Sequence, residues 1–120
     1  MPNRSVVLLV EDESFIRLST ADELQQAGFV VLEADSASEA IRILEQRHDI
    51  CIVFTDVHLE DSMDGLELLR FVASRWPPIR LFATSGAAAV TDSELPSGAK
   101  FFPKPYDRAS LVSAFQNALR

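Results

Sequence analysis

The segment Val6-Val7-Leu8-Leu9-Val10 runs directly into Glu11-Asp12, and this junction of an apolar run with an acidic pair decides the fold. The run is continuous rather than alternating, and three of its five side chains are β-branched. Short continuous runs of this kind are typical of strands covered on both faces, as in a parallel sheet between two layers of helices. We therefore predict a buried strand that ends where the two carboxylates begin.

The same apolar texture recurs four times further along the chain, at 29–32, 50–54, 79–83 and, more briefly, 101–102. Between these runs the apolar side chains recur at helical spacing, which predicts helices over 16–27, 37–44, 66–76 and 111–119. Each predicted strand is thus separated from the next by a stretch of different periodicity.

Residues with known capping preferences mark the helix boundaries. Ser36 and Asp107 are predicted N-caps, Gly28 ends the first helix, and Pro77-Pro78 ends the third. The segment 87–94 is short and runs into a breaking sequence, so a fourth helix there is expected to be stunted or irregular. Strand and helix then alternate five times, which predicts an α/β domain with a central parallel sheet and helices on both faces.

Length and composition indicate one soluble globular domain over residues 1–120. Eighteen acidic against eleven basic residues give a net charge of −7, and such a surface repels phosphate backbones and anionic lipid. We expect no direct binding to nucleic acid or membrane. The lone Cys51 is interpreted as a buried small hydrophobe, which suits a reducing compartment. The N-terminal apolar run is too short for a signal peptide or a membrane span, so a cytoplasmic location is predicted.

Polar side chains follow the predicted strands at their carboxyl ends, where open α/β sheets bind ligands. Glu11 and Asp12 follow the first strand, Asp56 ends the third, Ser85 the fourth and Lys104 the fifth. If the first and third strands are neighbours, three carboxylates converge, and like charges disfavour mutual ionisation. A hard divalent ion such as Mg²⁺, together with the lysine ammonium, would offset them.

Such a cluster suits phosphoryl transfer, in which a carboxylate attacks while cations neutralise the phosphoryl oxygens. The hydroxyl of Ser85 could hold one of those oxygens. Each residue alone has an ordinary structural explanation as a loop, cap or turn residue. Their joint placement at four strand ends favours the chemical interpretation.

Four segments resemble the signatures of response-regulator receiver domains: Val10-Glu11-Asp12-Glu13, Phe54-Thr55-Asp56-Val57, Ala83-Thr84-Ser85-Gly86 and Phe102-Pro103-Lys104-Pro105. Any one of these motifs is weak evidence, but their order and spacing match across essentially the whole chain. The resemblance implies a flavodoxin-like (βα)5 fold with strand order 2-1-3-4-5, and it implies a cis peptide bond between Lys104 and Pro105.

The same resemblance implies roles for individual residues. Asp56 would accept a phosphoryl group from a sensor histidine kinase or a histidine phosphotransfer protein, and Lys104 would pair with it. Ser85 and Phe101 would act as the switch that remodels a partner-binding face. The implied Mg²⁺ ligands are Asp12, Asp56, the backbone carbonyl of His58 and, through water, Glu11.

Three departures from the family pattern concern the regions around the site. The loop 57–62 is one residue longer than usual and lacks a common proline, the segment 87–94 is short and alanine-rich, and Phe101 replaces a more familiar tyrosine. The fourth helix, fifth strand and last helix form the family's usual output face, so the downstream partner is not identified. Tyr106 is expected either to be exposed on that face or simply to pack.

Two other functions remain as alternatives to a phosphoacceptor regulator that is not a conventional turnover enzyme. A non-phosphorylated docking scaffold would lack one of the key residues, and all are present. An aspartyl-phosphate phosphatase would place its nucleophile after the first strand, whereas Asp56 ends the third. The sequence leaves open the cognate kinase, the stimulus, the phosphate lifetime, the oligomeric state and whether the domain stands alone.

Overall fold

A computed structural model describes residues 4–86 and 92–120. Its five parallel strands form one sheet in the order β2-β1-β3-β4-β5, which confirms the predicted fold class and strand order. The strands are β1 (Val6–Val10), β2 (Val30–Ala34), β3 (Ile50–Asp56), β4 (Arg80–Ser85) and β5 (Lys100–Pro103). The α-helices in the described residues are α1 (Ser14–Gln26), α2 (Ala37–Gln46), α3 (Gly65–Arg75) and α4 (Arg108–Ala118). None of them is long and apolar enough to cross a membrane.

The predicted caps form as hydrogen bonds. The Ser36 side chain accepts the Glu39 backbone N–H at 3.1 Å, and Asp107 accepts that of Ser110 at 3.0 Å. Helix α3 has a further cap that was not singled out, because Asp64 and Glu67 bond to each other's backbone N–H groups in a capping box. These bonds satisfy N–H groups that have no partner inside the helix.

Two strand boundaries were predicted one residue too early. The Phe29 N–H bonds back to Leu24 O and the Ile79 N–H to Trp76 O, so both residues close the preceding turn before the ladder starts. For the fourth helix, 87–91 lies outside the described residues, and Asp92–Glu94 forms one turn of 3-10 helix. That turn is held to α3 by Arg70, whose Nη2 lies 3.0 Å from the Glu94 carbonyl oxygen.

Two apolar layers cover the two faces of the sheet. Val53 and Leu69 belong to the layer on the α2 and α3 side, while Phe54 and Phe115 belong to the layer on the α1 and α4 side. Because β3 is central and buried on both faces, both layers hold the strand that ends at Asp56. Cys51 near the start of β3 is only partly buried, contrary to prediction, and it lies where the pairing of β1 with β3 shifts register, from Val6–Ile50 to Val7–Ile52.

Candidate functional site

The carboxyl ends of the strands bring the predicted polar residues to one edge of the sheet. Strand β1 lies beside β3 with Val10 opposite Thr55, and β3 lies beside β4 with Asp56 opposite Thr84. Glu11, Asp56 and Ser85 are buried there. A cleft opens above them, lined among others by Asp12, Asp56, His58, Gly86 and Lys104.

Lys104 bridges two of the carboxylates. Its Nζ lies 2.7 Å from Glu11 Oε1 and 2.7 Å from Asp56 Oδ2, and all three side chains are at most 16% exposed. Burial alone would lower the pKa of Lys104, but its hydrogen bonds to Asp56 and Glu11 and their charges raise it above the ordinary lysine value. Burial raises the pKa of Glu11, an effect that its hydrogen bond from Lys104 opposes. The ammonium is therefore charged at neutral pH and compensates part of the acidic charge.

Glu11, Asp12 and Asp56 each offer a carboxylate oxygen, and these oxygens lie within 4.8 Å of one another. Three carboxylates against one ammonium leave an excess of negative charge, and carboxylate oxygens are the ligands that Mg²⁺ prefers. The residues present therefore fit a divalent cation. The His58 N–H donates to Asp56 Oδ1 at 2.9 Å, and the His58 side chain is exposed. A role of the His58 carbonyl as a ligand stays a prediction.

Arg17 supports the acidic pair, although the sequence analysis did not single it out. Its Nη1 lies 2.9 Å from the Glu11 carbonyl oxygen and its Nε lies 3.3 Å from Glu33 Oε1. The Glu11 N–H bonds to Ala34 O at 3.0 Å, so the backbone of Glu11 is held on both sides. The sequence feature that could have identified Arg17 is its position in the first turns of α1, which places the side chain beside the end of β1.

Gly65, the first residue of α3, is a second residue whose importance was missed. An added Cβ would overlap the Asp56 carbonyl oxygen, and it would lie 2.8 Å from the Val57 Cα atom. The Gly65 N–H also donates to Val57 O at 2.8 Å. Helix α3 thus starts directly against the backbone that carries Asp56, and only glycine leaves the necessary space.

Tyr106 packs rather than lying exposed on an output face. Its hydroxyl lies 2.6 Å from Thr20 Oγ1, and its ring meets Phe54 edge-to-face at 5.5 Å. Burial raises its pKa, so the phenol is protonated at neutral pH. The Lys104–Pro105 bond is cis, as the resemblance implied. Phe101 is partly buried in β5 and packs against the layer on the α2 and α3 side, while its switch role stays a prediction.

Residues 7–116 match the sequence profile described as the response regulator receiver domain. The chain belongs to this family. The receiver domain is 31% identical over 116 residues to the response regulator receiver protein CpdR of Brucella abortus (strain 2308), covering 94% of this chain and 95% of that protein. It is 37% identical over 119 residues to the sensor kinase CckA of the same organism, covering 96% of this chain but 12% of that protein.

Solved structures agree with this assignment. A response regulator receiver protein from Sinorhizobium medicae WSM419 superposes with a TM-score of 0.90 at 28% identity, covering 99% of this receiver domain and 97% of that chain. The receiver domain of the hybrid histidine kinase CckA gives a TM-score of 0.82 at 29% identity, covering 97% of this receiver domain and 100% of that chain.

Proposed function

We propose that this receiver domain accepts a phosphoryl group on Asp56, in a Mg²⁺-dependent reaction, from a phosphohistidine of a sensor histidine kinase or a histidine phosphotransfer protein. The observation that carries the proposal is the buried Asp56 carboxylate, 2.7 Å from the Lys104 ammonium and within 4.8 Å of oxygens from Glu11 and Asp12. Lys104 donates hydrogen bonds to both Glu11 and Asp56, which argues against a chance grouping of exposed acids.

Both carboxylate oxygens of Asp56 are held, since Oδ1 accepts the His58 N–H and Oδ2 accepts from Lys104. A carboxylate held in this way is aimed at the cleft before the reaction begins. One oxygen attacks the phosphorus atom, the bond from phosphorus to the donor histidine nitrogen breaks, and the imidazole keeps the electron pair. Lys104 then pairs with a phosphoryl oxygen, and the Ser85 hydroxyl donates to another.

Mg²⁺ would neutralise the phosphoryl oxygens. Asp12, Asp56 and the His58 carbonyl would hold it directly, with Glu11 acting through water. Burial of Glu11 and Asp56 keeps bulk water from competing with their charges.

Exposed apolar side chains on α1 support a protein as the phosphoryl donor. Phe15 is 84% exposed and Leu18 59% exposed, both on α1, while Phe15 and Pro105 line a second hollow that also contacts Lys104. Exposed apolar groups on the helix that borders the charged cleft suit a docking partner. A downstream protein would bind a face to which β5 and α4 contribute, and the protein would act in the cytoplasm.

The first experiment measures intact mass after incubation with acetyl phosphate, with and without Mg²⁺. The expected result is a gain of one phosphoryl group that requires both Mg²⁺ and Asp56 and is lost in Asp56→Asn. Asp49→Asn is the matched control, because Asp49 is an exposed aspartate just before the opposite end of β3. No uptake under any condition would favour the docking scaffold instead.

A further inference from the structure

The turn after β5 carries Lys104 and is anchored on both sides. On one side the Lys104 N–H bonds to the Ser85 carbonyl at 3.0 Å, the last backbone bond joining β5 to β4. On the other side Tyr106, two residues later, bonds through its hydroxyl to Thr20 at 2.6 Å. Thr20 is 3% exposed and belongs to α1, an element far away in sequence.

The ring of Tyr106 is fixed independently of its hydroxyl. It meets the ring of Phe54 edge-to-face at a centroid distance of 5.5 Å and an interplanar angle of 69°. Phe54 lies two residues before Asp56, on the same face of β3. Tyr106 therefore connects the turn that carries the ammonium with the strand that carries the acceptor carboxylate and with helix α1.

Lys104 reaches the two carboxylates through a long flexible side chain, so the place of its ammonium depends on where the turn holds its Cα atom. We propose that Tyr106 and Thr20 are a pair of positioning residues, whose partly buried hydroxyl–hydroxyl bond fixes the Lys104 turn against α1 and so sets the ammonium between Glu11 and Asp56. Only the expected effect on the rate of phosphoryl uptake rests on the proposed function. The placement of the ammonium is a property of the resting protein.

The two variants that test the pair, Tyr106→Phe and Thr20→Val, remove one hydroxyl each and keep the shape of the side chain. The control is Ser113→Ala, which removes an exposed hydroxyl from α4. Thermal unfolding of each variant first establishes that it is folded. Because the two hydroxyls act through one bond, the double variant should behave like either single variant.

The deciding readout is the lysine ammonium NMR signal of protein labelled at lysine, without Mg²⁺ or phosphodonor. The chain has only two lysines, so the exposed Lys100 is an internal reference for Lys104. We expect the Lys104 signal to shift and its ammonium protons to exchange faster with water in both single variants. The Lys100 signal, and both signals in Ser113→Ala, should stay in place. An unmoved Lys104 signal in both hydroxyl variants would overturn the proposal.

Phosphoryl uptake gives the second readout. Tyr106→Phe should slow uptake from acetyl phosphate about tenfold, because loss of one bond shifts the ammonium by less than the ~1 Å displacement that can cost about a hundredfold. In a Lys104→Met background the same change should have no further effect, whereas equal slowing in both backgrounds would contradict a role through Lys104. If the wild-type protein takes up no phosphoryl group, the proposed function fails, and the ammonium signal alone decides the positioning role.

Discussion

The backbone N–H, the carbonyl and the carboxylate of Glu11 all form hydrogen bonds. Its N–H bonds to Ala34, its carbonyl accepts from Arg17, and its carboxylate accepts from Lys104 and from the Glu13 N–H. A buried acid with so many fixed partners cannot turn away from its neighbours. The rigidity at this residue places Asp12, the next residue, at the edge of the cleft.

Arg17 is the side chain whose loss should loosen this arrangement. Arg17→Met keeps the apolar stem but removes the hydrogen bonds to Glu11 and Glu33, and we expect a loss of about 1–2 kcal/mol in the free energy of unfolding. Because the Glu11–Asp12 backbone becomes freer, the rise in melting temperature on adding Mg²⁺ should also shrink. Thermal unfolding with and without Mg²⁺ measures both effects.

The matched control is Arg42→Met, which removes an exposed pair with Glu39 at 3.5 Å. Exposed pairs of this spacing contribute only about 0.5 kcal/mol, so little change is expected. If Arg17→Met lowers stability but leaves the Mg²⁺-dependent rise intact, Arg17 supports the fold without positioning the acids.

Helix α3 starts so close to β3 that the backbone of Gly65, its first residue, contacts the backbone of Asp56 and leaves no room for a side chain. Gly65→Ala places a methyl group on the Asp56 carbonyl, and we expect a loss of about 2–3 kcal/mol despite the better helix propensity of alanine. Because the backbone at Asp56 must shift, phosphoryl uptake should fall as well.

In contrast, a Cβ at Gly86 would meet Lys104 side-chain atoms at 3.6 Å, an ordinary contact. Gly86→Ala should therefore stay within about 0.5 kcal/mol of wild type. Denaturant unfolding compares the two, and equal stabilities would show that α3 can retreat without cost.

The loop after Asp56 is tied to a second helix. Asp61 accepts the backbone N–H and the hydroxyl of Ser38, both at 3.0 Å, and so adds a cap to the start of α2. The hydrogen bonds from the backbone N–H groups of Ser38 and Ser62 lower the pKa of Asp61 below its ordinary value of 3.8. A lowered pKa in the folded state means that the stabilisation is complete above 3.8 and is lost as pH falls through the lower folded-state value.

Asp61→Asn tests this connection between elements. Wild type should melt at a higher temperature than Asp61→Asn near neutral pH, and the difference should shrink once the pH falls below 3.8. Asp22→Asn, an exposed aspartate on α1, corrects for the loss of one negative charge. A difference that is constant with pH would mean that the Asp61 charge does not cap α2.

The α/β fold class, and the meeting of the candidate site residues at one edge of the sheet, could be predicted from periodicity along the chain, whereas the strand order was implied by the family resemblance. Continuous apolar runs specify a sheet buried on both faces, and the residues that end those runs must meet at one edge. Arg17, Gly65 and the Thr20–Tyr106 bond could not be predicted in this way. Each depends on the distance between two elements, such as how closely α3 approaches Asp56, and that distance is set by packing rather than by any pattern within one element.

Across the whole molecule, backbone pairing connects the strand end at Ser85, beside Asp56, to β5. Lys104 N–H bonds to Ser85 O, and Ala83 pairs with Phe101, so a displacement of Ser85 toward a phosphoryl group has to strain or move β5. Phe101 is only partly buried, which leaves it room to change its packing. We expect phosphorylation of Asp56 to shift the populations of two packings of Phe101.

Amide hydrogen exchange with Mg²⁺ and beryllofluoride, a mimic of the phosphoryl group, should detect this shift across the chain. We expect altered exchange in the loop 57–62, at Ser85 and around Phe101, and unchanged exchange in the last turn of α2, which has no described contact with the cleft. Asp56→Asn should show none of these changes, because the mimic has no acceptor. Altered exchange confined to the loop and Lys104, with Phe101 unaffected, would mean that the site binds its ligand without switching β5. In that case the output surface must lie on the loop side of the cleft, where Asp61 connects the site to α2.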